Sequence, residues 1–252
     1  MFSLADFTEL YKHSHCPVNY AGRVKRFVET QEVAATMKLV DDLDEQYLLE
    51  QMLDEVKPRY RADTEHMHYL LKTPFRYPPL KYGSRFGTRL LPSFFYASEN
   101  EHTVLAEVAY YRFVFFHHLQ VPYQHPVQSQ HMMFSLQINT SQCADLSSGH
   151  FDPVKAALIS VDSYQFCQTV GQYLQLEEQV AVIRYCSARS DEGINIAIAM
   201  PQAITSKEPE SCQNWLCLSH PDKVSFTQAG QGQPYNFYLS DFLHHGSLPL
   251  PA

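Results

Sequence analysis

The segment from residue 76 to residue 112 constrains the fold and function of this chain more than any other. It places Arg85 in a tight Gly83–Gly87 turn, Tyr96 at the end of an apolar run, and Glu107 in an otherwise apolar helical stretch, at equal spacing. Glycine lets the backbone approach a ligand closely, and a buried carboxylate is costly unless it is paired or used. The segment therefore predicts a site for a ligand that is anionic at one end and sugar-like at the other.

Both charged residues have a simpler interpretation. A glycine–arginine turn is often an exposed loop, although the guanidinium fork matches phosphate oxygens. A glutamate on an apolar helix often forms a structural salt bridge, here with Arg112 or Lys81. We expect Glu107 to act on a ligand because it follows Arg85 and Tyr96. A ligand role for Arg85 depends on the family resemblance described below.

The composition is that of a globular protein. Hydrophobic residues make up 45% of the 252-residue chain and aromatic residues 13%, unlike a disordered segment. A net charge of −8 argues against direct nucleic-acid binding by the whole surface. It leaves room for a local basic patch, which suits phosphates, at Arg76, Lys81, Arg85 and Arg89.

No segment of the sequence predicts a membrane, a metal or a disulfide framework. The N-terminus does not read as a secretory signal, and no apolar run approaches the ~18 residues that span a bilayer. The six cysteines form no CxxC pair, and His13, His15 and Cys16 lack a second ligand pair. We expect reduced thiols, no metal and a cytoplasmic location.

Hydrophobic periodicity predicts an α+β fold, because helices and strands are mixed without strict alternation. The predicted helices are 4–15, 29–56 as one helix or a helical pair, a stretch around Glu107 that reaches His118, 153–160 and 162–178, the last capped by Asp162 or Ser163. The predicted strands are 94–96, 131–140, 180–185, 194–200 and short pieces of the tail, while 23–28 is either a strand or a helix entry.

The chain is predicted to be a single domain, 1–252, in which residues 1–70 form a mainly helical N-terminal extension and residues 71–200 form the core. The predicted helix 29–56 carries an acidic face. Such a face is usually a solvated surface; the alternative is a docking surface for a basic partner.

Several motifs resemble the RES family, which is named for a shared arginine, glutamate and serine. GSRFG matches the arginine, FFYAS a tyrosine and LAEVAYYR the glutamate, and the serine corresponds to Ser187, followed by Asn195. The resemblance covers roughly residues 70 to 200. It implies an ADP-ribosyltransferase-like split-sheet core, NAD as the substrate and no metal.

The resemblance also implies roles for individual residues. The catalytic residues would be Glu107, Arg85 and Ser187, and the NAD contacts would be Arg76, Tyr77, Tyr96, Gln165 and Asn195, with Tyr164 a weaker candidate. Arg26 is the alternative to Arg76 for the family's early arginine, and Arg76 is preferred because it lies close to the glycine turn and beside Tyr77.

The resemblance implies a toxin of a toxin–antitoxin pair that cleaves the nicotinamide–ribose bond as a glycohydrolase or phosphorylase. Its partner would be a cognate antitoxin, often Xre-like, and a homodimer is possible. The acceptor of the ADP-ribose stays open among water, phosphate and a protein side chain. The alternatives are a protein ADP-ribosyltransferase and a non-catalytic module that binds NAD or a partner.

Overall fold

The longest strand, β3 (Val127–Asp145), organises the sheet in the computed structural model, which describes residues 2–30, 40–79, 81–121, 123 and 125–251. Strand β3 pairs antiparallel with β1 (Val18–Glu29) and with β6 (Glu210–Ser219), and its last residues pair parallel with β4 (Val182–Cys186). Strand β3 therefore connects β1 and β6 with β4 in one sheet.

The sheet is split beside β1. Strand β4 pairs with β5 (Ile194–Ile198), and β5 pairs with β2 (Phe95–Ser98). Strands β1 and β2 pair where Lys25 lies opposite Ser98 and diverge beyond that point. One half-sheet is thus β2-β5-β4, and the other is β1-β3-β6 extended by β7 (Lys223–Gln228) and β8 (Tyr235–Tyr238). The predicted α+β class with a split-sheet core is confirmed.

Helices cover both half-sheets. The α-helices of the described residues are α1 (Leu4–His13), α2 (Leu43–Val56), α3 (Tyr69–Arg76), α4 (Glu101–His117), α5 (Asp152–Leu158) and α6 (Gln165–Leu176). Helices α1 and α6 share a buried cluster with β4 and β5, in which Phe7 and Val170 are fully buried. Helix α4 packs its Leu105 and Phe113 against Phe27 and Phe226 of the other half-sheet.

Most of the predicted elements are present, with shifted ends. Residues 23–28 belong to strand β1, which ends at Glu29, where the predicted helix 29–56 was expected to begin. That helix is observed as α2, while residues 31–39 lie outside the described part of the chain. Helix α6 begins at Gln165 rather than at 162, and neither Asp162 nor Ser163 is its N-cap residue.

The sheet extends on both sides of the predicted 71–200 core. Strand β1 lies within residues 1–70, so the expected mainly helical extension contributes a full strand to the sheet. Strands β6 to β8 lie beyond residue 200. The single-domain division itself stays a prediction.

Helix α6 also fixes the glycine turn that carries Arg85. A Cβ atom at Gly171 would lie 2.1 Å from the carbonyl oxygen of Phe86. Real side chains do not approach a carbonyl oxygen so closely, so the turn can pack on α6 only because residue 171 is glycine.

We predict that Gly171→Ala lowers the free energy of unfolding by about 1–3 kcal/mol, because the methyl group overpacks this contact. Glycine-to-alanine changes inside helices ordinarily stabilise by roughly 0.5–1 kcal/mol, so the sign is diagnostic. Urea denaturation measures the effect. Gly232→Ala is the control, since no atom lies within 4 Å of its Cβ position. A stabilised Gly171→Ala variant contradicts the prediction.

Candidate functional site

A cleft of about 290 Å³ opens where β1 and β2 diverge. Its walls come from both half-sheets, from α4, from the glycine turn and from the start of α6. Its polar lining residues are Arg26, Ser84, Arg85, Ser98, Glu107 and Asn195, together with the tyrosines Tyr96, Tyr111, Tyr164 and Tyr185. The structure therefore gathers Arg85, Tyr96, Glu107 and Asn195, four of the predicted site residues, around one cavity.

Glu107 is held by hydrogen bonds from the opposite half-sheet. Its Oε1 accepts from Ser187 Oγ at 2.7 Å and from Asn195 Nδ2 at 2.6 Å. The amide of Asn195 is oriented in turn, because its Oδ1 accepts from Ser98 Oγ at 2.5 Å. Glu107 is half-buried rather than fully buried as expected. Among the described residues Oε2 has no hydrogen-bond donor, which leaves this oxygen for a ligand.

Arg85 is buried in the turn and held from behind by backbone carbonyls. Its Nη1 donates to the carbonyl oxygens of Leu158 and Ser160, both at 3.0 Å. Its Cζ lies 4.6 Å from the ring centroid of Tyr164. Burial opposes the charge, but Tyr164 and the other acidic groups facing it, including Glu107, raise the pKa of Arg85 above its ordinary value. The guanidinium is therefore charged and oriented.

Tyr96 fastens the glycine turn to strand β2. Its hydroxyl is 2.8 Å from Ser84 Oγ and accepts from the backbone N–H of Phe86 at 3.2 Å. Burial raises the pKa of Tyr96 to about 12, so the hydroxyl is neutral. The residue thus positions the Arg85 turn as well as lining the cleft.

Of the two arginines considered for the early position, Arg26 lines the cleft and the preferred Arg76 does not. Arg26 Nη1 donates to the carbonyl oxygen of Tyr96 at 2.7 Å, and its Cζ lies 4.5 Å from the ring centroid of Phe95. Burial lowers the pKa of Arg26 to about 10, so it stays charged at neutral pH. Arg76 does not line the cleft. It pairs with Asp54 at 3.5 Å, donates to the carbonyl of Pro58 and lies over Tyr60.

Two other predicted contacts also lie away from the cleft. Tyr77 is 42% exposed, and Gln165 is an exposed residue at the start of α6. Neither lines the cavity. Tyr164, the weaker candidate that precedes Gln165, lines the cavity instead.

Sequence reasoning missed several aromatic lining residues, namely Phe27, Tyr111 and Tyr185. The spacing of two of them from predicted site residues could have indicated their position. Tyr111 lies one helical turn after Glu107 and hence on the same face of α4. Tyr185 lies two residues before Ser187, and residues at that spacing share a face of a strand. Gln168 was missed as well; its Nε2 donates to the carbonyls of Tyr82 and Ser84 at 2.9 and 3.1 Å.

Two kinds of feature are absent from the described part of the chain. No group of three or more His, Cys, Asp or Glu side chains is placed there to hold a metal ion. None of the helices in this part of the chain has the length and apolar character needed to cross a membrane.

We predict that Tyr96→Phe lowers the free energy of unfolding by about 1–3 kcal/mol, because the N–H of Phe86 then loses its acceptor. Thermal or urea denaturation measures the loss. Tyr69→Phe is the matched control, since Tyr69 is 58% exposed and its hydroxyl can bond to water. Equal stability of the two variants contradicts the anchoring role of Tyr96.

Comparisons with known proteins add the family. The family model described as RES domain matches residues 58–219. The crystal structure of the M. tuberculosis MbcT–MbcA toxin–antitoxin complex is similar at a TM-score of 0.45 and 11% sequence identity, over 84% of this chain and 85% of that chain. A search of curated proteins finds no match. Because the matched residues make up more than half of the chain, this protein belongs to the RES domain family.

Proposed function

We propose that this protein is the toxin of a toxin–antitoxin pair and acts by cleaving NAD at the nicotinamide–ribose bond. The observation that carries the proposal is the carboxylate of Glu107, which Ser187 and Asn195 hold in the same cleft as Arg85. These are the residues that the family resemblance assigns to catalysis and NAD binding. A cytoplasmic enzyme with access to free NAD suits this role.

The arrangement fits the charge that develops in the reaction. Loss of nicotinamide leaves positive charge on the ribose, as in glycoside hydrolysis. The free Oε2 of Glu107 would accept a ribose hydroxyl and stabilise the oxocarbenium-like state electrostatically. Because nicotinamide leaves as a neutral molecule from a cationic substrate, no strong general acid is required. That is consistent with a cleft lined by tyrosines rather than by histidine.

The two cleft arginines suit the pyrophosphate of NAD. Arg85 and Arg26 are both held by backbone carbonyls, so their charges are available to an anionic ligand. Tyr96, Tyr164 and Tyr185 provide aromatic surface for the nicotinamide end. Ser187 would keep Glu107 in place or orient the attacking group. The acceptor is water in a glycohydrolase and phosphate in a phosphorylase, and protein ADP-ribosylation is the alternative reaction.

We predict that the wild-type protein releases nicotinamide from NAD and that Glu107→Gln lowers kcat by about 10²–10³-fold, the cost of removing one electrostatic stabiliser. Chromatography of nicotinamide, with and without phosphate, measures the rate and identifies the acceptor. Glu65→Gln, a change at an exposed position, is the control. Full activity of a folded Glu107→Gln variant, or no release by the wild type, contradicts the proposed chemistry.

We predict that Arg26→Gln raises the KM for NAD about tenfold or more, because a hydrogen bond to a charged group is worth roughly 1.5–3 kcal/mol. Arg76→Gln should leave the KM within about twofold, since Arg76 contacts Asp54 and Tyr60 instead. Steady-state kinetics on both variants decides between the two arginines. The opposite ranking restores Arg76 as the early arginine.

The second part of the proposal is a protein partner, and the exposed surface of helix α2 supports it. None of its residues is buried, and its exposed apolar side chains include Leu43, Tyr47, Met52 and Val56. Its acidic residues are Asp44, Glu45, Glu50, Asp54 and Glu55. Such a surface suits a partner that is apolar and basic. We propose a cognate antitoxin, Xre-like in its own fold, as this partner, with a homodimer as the alternative. A non-catalytic module would use only this surface and would tolerate Glu107→Gln.

A further inference from the structure

A second cavity lies next to the cleft and shares part of its lining. Phe27, Val108 and Tyr111 line both the cleft and an adjoining cavity, which is also about 290 Å³ in volume. This cavity lies between β1 and α4, and we call it the β1–α4 compartment. Its remaining lining residues are Glu29, Arg112, Phe115 and His131. The shared residues make the two cavities neighbours along one side of β1.

The size of the cleft calls for a second compartment. Its volume of about 290 Å³ is just below the ~300–1,000 Å³ that pockets for drug-sized ligands occupy. A dinucleotide is larger than such ligands. If the nicotinamide riboside end and the pyrophosphate occupy the cleft at Glu107 and Arg85, the adenosine end has to leave it.

The β1–α4 compartment has the chemistry of a nucleoside site. Tyr111 and Phe115 lie one turn apart on α4 and are 55% and 42% exposed, and exposed aromatic rings are surfaces on which bases stack. The carboxylate of Glu29 is 57% exposed. A carboxylate only accepts hydrogen bonds, and in nucleotide sites it commonly accepts them from ribose hydroxyls.

The charges of the compartment disfavour a phosphate. Arg112 Nη2 is 3.1 Å from Glu29 Oε2 and 2.9 Å from His131 Nε2. Its charge is therefore already balanced by a carboxylate. Burial, together with Arg112, lowers the pKa of His131 to about 4, so the imidazole adds no positive charge at neutral pH. A neutral ribose fits beside Glu29, whereas a 2′-phosphate there would face a carboxylate.

The cavity on the other side of β1 is less well connected to the cleft. It lies against α3, with Tyr69, Thr73 and Pro74 in its lining, and it shares only Arg26 with the cleft. The β1–α4 compartment shares three lining residues with the cleft. A ligand too long for the cleft is therefore expected to extend into this compartment.

We infer that the adenosine end of NAD binds in the β1–α4 compartment, where Tyr111 and Phe115 contact the adenine and Glu29 accepts a ribose hydroxyl, so that the enzyme prefers NAD to NADP. This inference rests on the proposed NAD cleavage and adds the site of the second nucleotide to it.

The test compares NAD with nicotinamide mononucleotide, which lacks the adenylate half. Phe115→Ala should lower kcat/KM for NAD about tenfold, in the range of lost base stacking, and leave kcat/KM for the mononucleotide unchanged. Thr73→Ala, across β1, is the control and should change neither. Equal effects of Phe115→Ala on both substrates, or an effect of Thr73→Ala confined to NAD, overturns the inference. Glu29→Gln should reduce the preference for NAD over NADP.

A binding measurement separates this inference from the proposed reaction. Calorimetric titration of the full-length protein with AMP needs no turnover. AMP should bind the wild type and the Thr73→Ala variant with equal affinity and bind Phe115→Ala about tenfold more weakly. AMP affinity that is undetectable in the wild type, or unaffected by Phe115→Ala, overturns the site. Absence of nicotinamide release together with Phe115-dependent AMP binding overturns the proposed reaction and leaves the nucleotide site standing.

Discussion

The divergence of β1 from β2 is the feature on which the site depends. These strands pair where Lys25 lies opposite Ser98, and a continued antiparallel ladder would place Phe27 opposite Tyr96. Both of those residues line the cleft instead. The carbonyl oxygen of Tyr96 accepts a hydrogen bond from the guanidinium of Arg26. A side chain thus satisfies a backbone group at the place where the sheet opens, as a partly buried carbonyl requires.

Glu107 then links the two half-sheets across that opening. Helix α4 packs on the half-sheet that contains β1, β3 and β7. The two donors to its carboxylate come from the other half-sheet: Asn195 opens β5, and Ser187 directly follows β4. The position of Glu107 relative to its donors is therefore set by how the half-sheets are joined. Strand β3 fixes how the half-sheets are joined, because it pairs with β1 in one half-sheet and, through its last residues, with β4 in the other.

The residues themselves predicted the parts of the site that are close along the chain, whereas the distant parts, Ser187 and Asn195, were predicted only through the family resemblance. The glycine turn, strand β2 and helix α4 follow one another along the chain, and their propensities agree with their final structure. Arg26, which was only the alternative for the early arginine, enters from a strand 70 residues away from Tyr96. Arg76 was preferred because it is near in sequence, but two prolines lie between it and the turn, and it forms an ion pair with Asp54. Proximity along the chain therefore did not predict which arginine lines the cleft, because the pairing of the sheet places β1 there.

The way the two cleft arginines are held explains how an acidic protein can present a positive site. In the described part of the chain, several arginines form ion pairs with carboxylates, among them Arg23, Arg61, Arg112 and Arg184. Arg26 and Arg85 instead donate to backbone carbonyls. A carbonyl dipole orients a guanidinium without cancelling its charge. Burying cations in this way is unfavourable, and groups held at such a cost are typical of functional sites. The whole chain carries a net charge of −8, whereas the charged lining residues of the cleft, Arg26, Arg85 and Glu107, give it the opposite sign.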